Sequence, residues 1–102
     1  MPNMLCNSVA TFQKPAANRT YVDDVITDCD FSPVSASAKN WARFNGVAYD
    51  FKACVVLPEA KRIEITEDWR VKINATEYSI KDITNHYDNA GYDHTTFQLS
   101  KI

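Results

Sequence analysis

The sequence has only two glycines in 102 residues, Gly46 and Gly91, which excludes a glycine-rich phosphate-binding loop. It lacks the run of ~18 apolar residues that a membrane-spanning helix needs, and its start, MPNMLCNSVA, lacks the basic and apolar blocks of a signal peptide. It also lacks an excess of positive charge, because 11 basic and 13 acidic side chains give a formal net charge of -2. These absences argue against a membrane protein and against a protein that coats nucleic acid with positive charge.

The three cysteines, Cys6, Cys29 and Cys54, are scattered, odd in number and in no CxxC pair. This pattern is typical of reduced, partly buried thiols in a cytosolic product. A nucleophilic cysteine would need a histidine close in space, whereas Cys29 and Cys54 lie within strand patterns as small core residues.

One strand-like stretch also carries four carboxylates that could serve acid–base chemistry: Asp23, Asp24, Asp28 and Asp30. In alternating strand geometry most of them point to water or toward a partner, so they do not predict a catalytic pair. The sequence therefore predicts neither an enzyme nor a cofactor.

Two runs of alternating apolar and polar residues follow each other in residues 67–83, the most regular stretch of the chain. The apolar positions are Trp69, Val71 and Ile73 in the first run and Tyr78 and Ile80 in the second. The polar residues 74–77 between them permit a turn, so the pattern predicts an antiparallel hairpin whose apolar faces coincide. One hairpin cannot bury its own apolar face, so other strands should cover it.

The remaining strands are predicted over residues 7–13, 21–31, 47–57, 62–66 and 95–102. A bulge near Asp24 would bring Cys29 and Phe31 to the buried face of the second strand. In the fourth strand, Ile63 and Ile65 should point inward. The fold class is therefore all-β, a small barrel or sandwich of six to seven mainly antiparallel strands with at most a short helix, in a single domain, 1–102.

Residues 32–46 form a long loop between the second and third strands, and such loops in small domains are often functional. The loop combines positive charge with aromatic rings at Lys39, Trp41, Arg43 and Phe44. Three interpretations stay open. The four residues could stack single-stranded nucleic acid, fold back as a lid over the barrel, or contact a protein partner.

Residues 86–94 are predicted to be a polar loop around Gly91. The loop places two histidines and two carboxylates where they could in principle close on a divalent ion: His86, Asp88, Asp93 and His94. Their spacing matches no recognised metal motif, so we interpret them as part of a solvated loop and predict no metal site.

The layout resembles the small head-closure, or stopper, proteins of tailed bacteriophages, a family of head–tail connector components. Residues 28–33 are similar to the family's aromatic strand end before a long excursion, and residues 49–58 are similar to its apolar return strand. Residues 69–73 and 78–80 are similar to its hairpin, in which a valine strand turns into Tyr-x-Ile or Tyr-x-Val. The family often has glycine in that turn, where this chain has Asn74 and Ala75.

This resemblance implies a structural role for a small β-barrel in the virion neck, after synthesis in the host bacterial cytoplasm. The expected homo-oligomeric ring, a dodecamer, would sit beneath the portal and its adaptor and above the tail proteins. Packaged double-stranded DNA would lie in its channel, with no membrane contact. Residues 32–46 would be the plug. The alternatives are a tail terminator or other neck subunit, or a small barrel that binds single-stranded nucleic acid.

Overall fold

The computed structural model of the chain describes residues 6–33 and 50–102. Within these residues, six strands form one closed antiparallel barrel in the order β1-β2-β3-β6-β5-β4. The strands are β1 (Ser8–Pro15), β2 (Tyr21–Pro33), β3 (Phe51–Val55), β4 (Arg70–Ile73), β5 (Thr76–Asp88) and β6 (Gly91–Lys101). A 3-10 turn, Ala17–Arg19, joins β1 to β2, and a short helix, α1 (Glu59–Glu64), lies between β3 and β4. The prediction of a small all-β barrel is confirmed.

Alternate residues of each strand point inward and form a single core. Its buried members are Ala10, Phe12, Cys29, Ala53, Val55, Leu57, Ile65, Trp69, Val71, Ile73, Tyr78, Ile80, Phe97 and Leu99. The order of the strands places β1 opposite β6, so Phe12 and Phe97 meet across the interior with their ring centroids 4.8 Å apart. This aromatic contact links the two walls of the barrel.

The hairpin predicted in residues 67–83 is present, and its five apolar side chains are buried. Its turn is tighter than predicted, because Ile73 pairs directly with Thr76 and only Asn74 and Ala75 lie between the strands. Both turn residues have positive φ, 52° at Asn74 and 66° at Ala75. Positive φ at both central positions is the geometry of a type I′ turn, which favours Asn-Gly.

Ala75→Gly should therefore stabilise the barrel. A left-handed conformation costs alanine about 1–2 kcal/mol, whereas glycine adopts it freely but loses more entropy on folding. We expect the free energy of unfolding to rise by about 0.5–1 kcal/mol in urea titration. Asn74→Gly is the control and should change stability less, because asparagine tolerates this region. A destabilising Ala75→Gly would show that the turn is not type I′.

The bulge predicted near Asp24 is confirmed. Phe12 pairs with Val25 and Gln13 with Asp23, so Asp24 has no partner on β1. Beyond the bulge Cys29 is fully buried, and Phe31 packs against the core as predicted.

Two predictions about secondary structure are wrong. The strand predicted at residues 62–66 is occupied by the end of α1, and Ile63 is 76% exposed instead of inward, although Ile65 is buried. Four alternating residues are too few to distinguish a strand from a helix. The residues that follow Pro58, Glu-Ala-Lys-Arg, all have high helix propensity. The loop predicted at residues 86–94 is instead the paired end of β5 and β6, joined by a turn at residues 89–90.

The third strand, predicted over residues 47–57, spans Phe51–Val55, and positions 47–49 lie outside the described residues. No helix in the described part of the chain combines the length and hydropathy that a membrane crossing requires.

The antiparallel strands give the barrel two different ends. The β2–β3 connection and the β4–β5 turn lie at one end, which we call the connection end. The β1–β2 and β5–β6 turns lie at the other, the arm end. There the β1–β2 hairpin and the β5–β6 hairpin extend beyond the neighbouring strands. β2 pairs with β3 only over residues 30–33, and β5 pairs with β4 only over residues 76–79.

Helix α1 bridges the two hairpins at the arm end. Lys61 Nζ lies 2.6 Å from a carboxylate oxygen of Asp24 in β2, and Glu64 lies 2.7 Å from Lys14 Nζ in β1. On its other side, the Arg62 guanidinium lies over the ring of Tyr92 in β6, with 3.7 Å between Cζ and the ring centroid. The pair of lysines lowers the pKa of Glu64 to about 2 through hydrogen bonds from Lys14 and then Lys61.

Candidate functional site: the connection end of the barrel

The connection between β2 and β3 leaves and rejoins the barrel at adjacent positions. Pro33, the last residue of β2, is the direct partner of Phe51, the first residue of β3. The four residues predicted as the site, Lys39, Trp41, Arg43 and Phe44, lie outside the described residues. The structure describes the two strand ends on either side of residues 34–49, which are residues 31–33 and 50–51. We call these strand ends the frame.

Three aromatic rings pack together directly at this frame. Phe31 and Phe51 stack with their centroids 5.3 Å apart and an interplanar angle of 17°. The ring of Tyr78 contacts both, at 5.4 Å from Phe31 and 5.3 Å from Phe51. Offset aromatic contacts of this kind add to the stabilisation from buried area. The Tyr-x-Ile strand of the hairpin therefore supports the base of the connection.

Hydrogen bonds fix the backbone on both sides of the frame. The Asn7 side chain acts like a strand neighbour of Phe31: its Nδ2 donates to the Phe31 carbonyl at 2.9 Å, and its Oδ1 accepts from the Phe31 N–H at 2.9 Å. The Asn7 N–H donates to the Cys29 carbonyl at 3.0 Å. Where the chain returns, the Asp50 N–H donates to the Leu99 carbonyl at 2.9 Å. Both roots of the connection thus form hydrogen bonds with residues that lie outside it.

Cys29, two residues before Phe31 in β2, is not an activated nucleophile. Burial, with smaller contributions from Cys6 and the neighbouring aspartates, raises the pKa of the Cys29 thiol to about 11. A thiol with a raised pKa stays protonated at neutral pH, and the thiolate is the reactive form. Cys6 is exposed and Cys54 is partly buried, and all three are free thiols.

The two histidines and two carboxylates of residues 86–94 lie at the arm end of the barrel. His86 and His94 are direct cross-strand partners, with their rings stacked at 4.4 Å. His86 Nε2 lies 2.9 Å from Thr96 Oγ1, and His94 Nδ1 lies 2.6 Å from Asp93 Oδ2. Within residues 6–33 and 50–102, no group of three or more His, Cys, Asp and Glu side chains is arranged to hold a metal ion.

Sequence reasoning missed an aromatic and cationic cluster at the arm end, which we call the arm-end platform: Arg62, Tyr87 and Tyr92. Tyr87 and Tyr92 are cross-strand partners with an edge-to-face contact at 6.0 Å. The Tyr92 hydroxyl accepts a hydrogen bond from the Leu57 N–H at 3.1 Å, which fixes the ring beneath Arg62. The signal was the close spacing of the two tyrosines around a short turn, which a loop assignment for residues 86–94 conceals.

No protein-family model matches the sequence, and a search of curated proteins finds no similar sequence.

Proposed function

We propose that this chain is a head-closure, or stopper, subunit of a tailed-phage neck. The observation that carries the proposal is the connection end. A closed barrel holds two adjacent strand ends in a fixed frame, and residues 34–49 leave and rejoin the barrel there. A rigid scaffold that presents one long segment is the usual arrangement for a working loop.

In this proposal the barrel is the structural part of the ring and the connection is the plug. Copies stand side by side beneath the portal and its adaptor, and each copy contributes its connection to the closure of the DNA channel. The mild net charge of -2 suits a channel through which DNA must later pass, because a strongly basic surface would retain it. The ring also offers an attachment platform for the tail.

The other neck component considered was a tail terminator, which would usually carry a substantial helix packed on its sheet. The one α-helix within the described residues is α1, which has six residues. This supports the head-closure assignment over the terminator.

Binding of single-stranded nucleic acid through Trp41 and Phe44 is the second candidate. Intrinsic fluorescence discriminates it, because Trp69 is buried and Trp41 is the other tryptophan of the chain. A salt-dependent change on addition of oligonucleotide, lost in Trp41→Phe, would favour this candidate.

Assembly tests the head-closure proposal. We expect the purified chain to form rings in electron micrographs at high concentration, or on addition of its portal–adaptor partner. A chain that remains monomeric under both conditions contradicts the proposal.

A further inference from the structure

Two arginines of the barrel, Arg62 and Arg70, lie on tyrosine rings, but only Arg70 also has a carboxylate partner among the described residues. Arg70 Cζ lies 4.3 Å from the centroid of the Tyr21 ring, and its guanidinium also lies 3.8 Å from a carboxylate oxygen of Glu77. Arg62 lies closer to its tyrosine, at 3.7 Å. Among the described residues, Arg62 has no carboxylate partner, and its buried Nε donates no hydrogen bond.

The orientation of Arg62 leaves it ready to accept a carboxylate from outside the chain. A guanidinium presents its donors in a rigid fork, and stacking on Tyr92 fixes the plane of that fork. Because Nε is buried, an incoming carboxylate would pair with the two terminal Nη groups. The side chain is partly buried without a counter-ion among the described residues, which is unfavourable until an anion pairs with it. Aromatic and arginine side chains in such positions are typical anchors of protein interfaces.

The exposed large apolar side chains of the described residues fall into two groups, with Ile102 apart from both. One group, Val56, Ile63 and Tyr87, lies at the arm end, and the other, Val9, Val22 and Ile26, lies on β1 and β2. In the second group, Ile26 is 68% exposed and Val9 is the direct partner of Asp28. We call Val9, Ile26 and Asp28 the wall patch.

The wall patch carries a negative charge at Asp28, whereas the arm-end platform carries a positive charge at Arg62. Asp28 points outward, because its neighbour Cys29 is fully buried, and its carboxylate has no ion pair or hydrogen bond within the described residues. It lies beside exposed Val9 and Ile26. Arg62 precedes exposed Ile63 in α1 and lies over Tyr92, whose ring contacts exposed Tyr87. One surface is cationic and apolar, and the other is acidic and apolar.

We propose that the arm-end platform of one copy docks on the wall patch of the next copy, with Arg62 paired to Asp28. Within one chain Arg62 and Asp28 form no ion pair with each other or with any other described residue. A contact between two different surfaces is head-to-tail, and it generates a ring if the rotation closes. The inference rests on the proposed function, because it assigns the contact from which that ring is built.

Charge reversal tests the pairing. We expect Arg62→Glu and Asp28→Arg each to raise the concentration for half-maximal assembly by roughly 30-fold or more, the loss of one strong interface anchor. An equal mixture of the two variants should assemble like the wild type, because every contact in an alternating ring then joins opposite charges. Mass photometry, with and without the portal–adaptor partner, gives the assembly state.

Arg70→Glu is the matched control. Arg70 is also stacked on a tyrosine but is paired with Glu77 inside the chain, so its reversal should leave assembly unchanged, with thermal melting to verify the fold. If Arg62→Glu forms rings at the same concentration as the wild type, this contact is wrong, whereas the proposed function still stands. Failure of the mixture to restore assembly overturns the pairing of Arg62 with Asp28. A wild type that never assembles overturns the contact and the proposed function together.

Discussion

A chain that lacks residues 36–45 is expected to fold like the full chain and to fail in closing DNA-filled heads. The two strand ends that the connection joins are direct partners, so the remaining residues 34–35 and 46–49 suffice to bridge them. Residues outside the deleted segment hold both strand ends, since Asn7 holds Phe31 and the Leu99 carbonyl holds Asp50. Thermal melting and circular dichroism of the purified variant should therefore match those of the full chain.

The loss should appear in the particle. Heads assembled with the shortened chain should leak DNA or fail to join tails, and the titre should fall by several orders of magnitude. The deletion removes both the length and the side chains of the plug. A variant in which a glycine–serine segment of equal length replaces residues 36–45 shows which of the two is required, because it restores only the length. Normal infectious particles after the deletion would refute the assignment of the plug.

The second large effect concerns stability. Phe97→Ala removes the aromatic contact that links β6 to β1 across the interior, where both rings are fully buried. Replacing a buried phenylalanine by alanine costs about 3–5 kcal/mol, because it loses buried area and leaves a cavity. Domains of this size have a total free energy of unfolding of about 5–15 kcal/mol, so the variant should be near the limit of folding.

Urea titration with fluorescence of the buried Trp69 measures this effect. Phe97→Leu should cost clearly less than Phe97→Ala, since it keeps most of the apolar volume. Gln98→Ala, at the outward-facing neighbour, should change stability by no more than about 0.5 kcal/mol. A cost of Phe97→Ala equal to that of Gln98→Ala would mean that the interior is not packed as described.

The fold could be predicted largely because its strands alternate clearly between apolar and polar residues. Trp69, Val71 and Ile73 are buried as the pattern requires, and so are Tyr78 and Ile80. Even the irregularity of β2 was readable, because the parity of its apolar residues changes at one position, where Asp24 bulges. Such patterns are local, and local patterns are what a single sequence displays.

The errors arose where the pattern was short or where a partner strand decided the structure. Ile63 and Ile65 alternate like a strand for four residues, but the segment forms the end of a helix. Residues 86–94 are polar because they extend beyond the barrel into solvent, and polarity alone resembles a loop.

The site was less predictable than the fold. The sequence indicated where the connection lies, but the contact of Phe31 and Phe51 with Tyr78 joins residues far apart in the chain. The same holds for Arg62 and Tyr92, whose contact depends on a helix that crosses between two hairpins. Residue types and spacing do not encode such juxtapositions until the topology is known.

Addition of the purified chain to DNA-filled heads that lack it tests the central claim most directly. Heads from a phage without the corresponding gene should release DNA to added nuclease, and the full chain should restore protection, whereas the chain without residues 36–45 should not. Heads that remain equally nuclease-sensitive with the full chain, or that are fully protected without it, would contradict its role as a head-closure subunit.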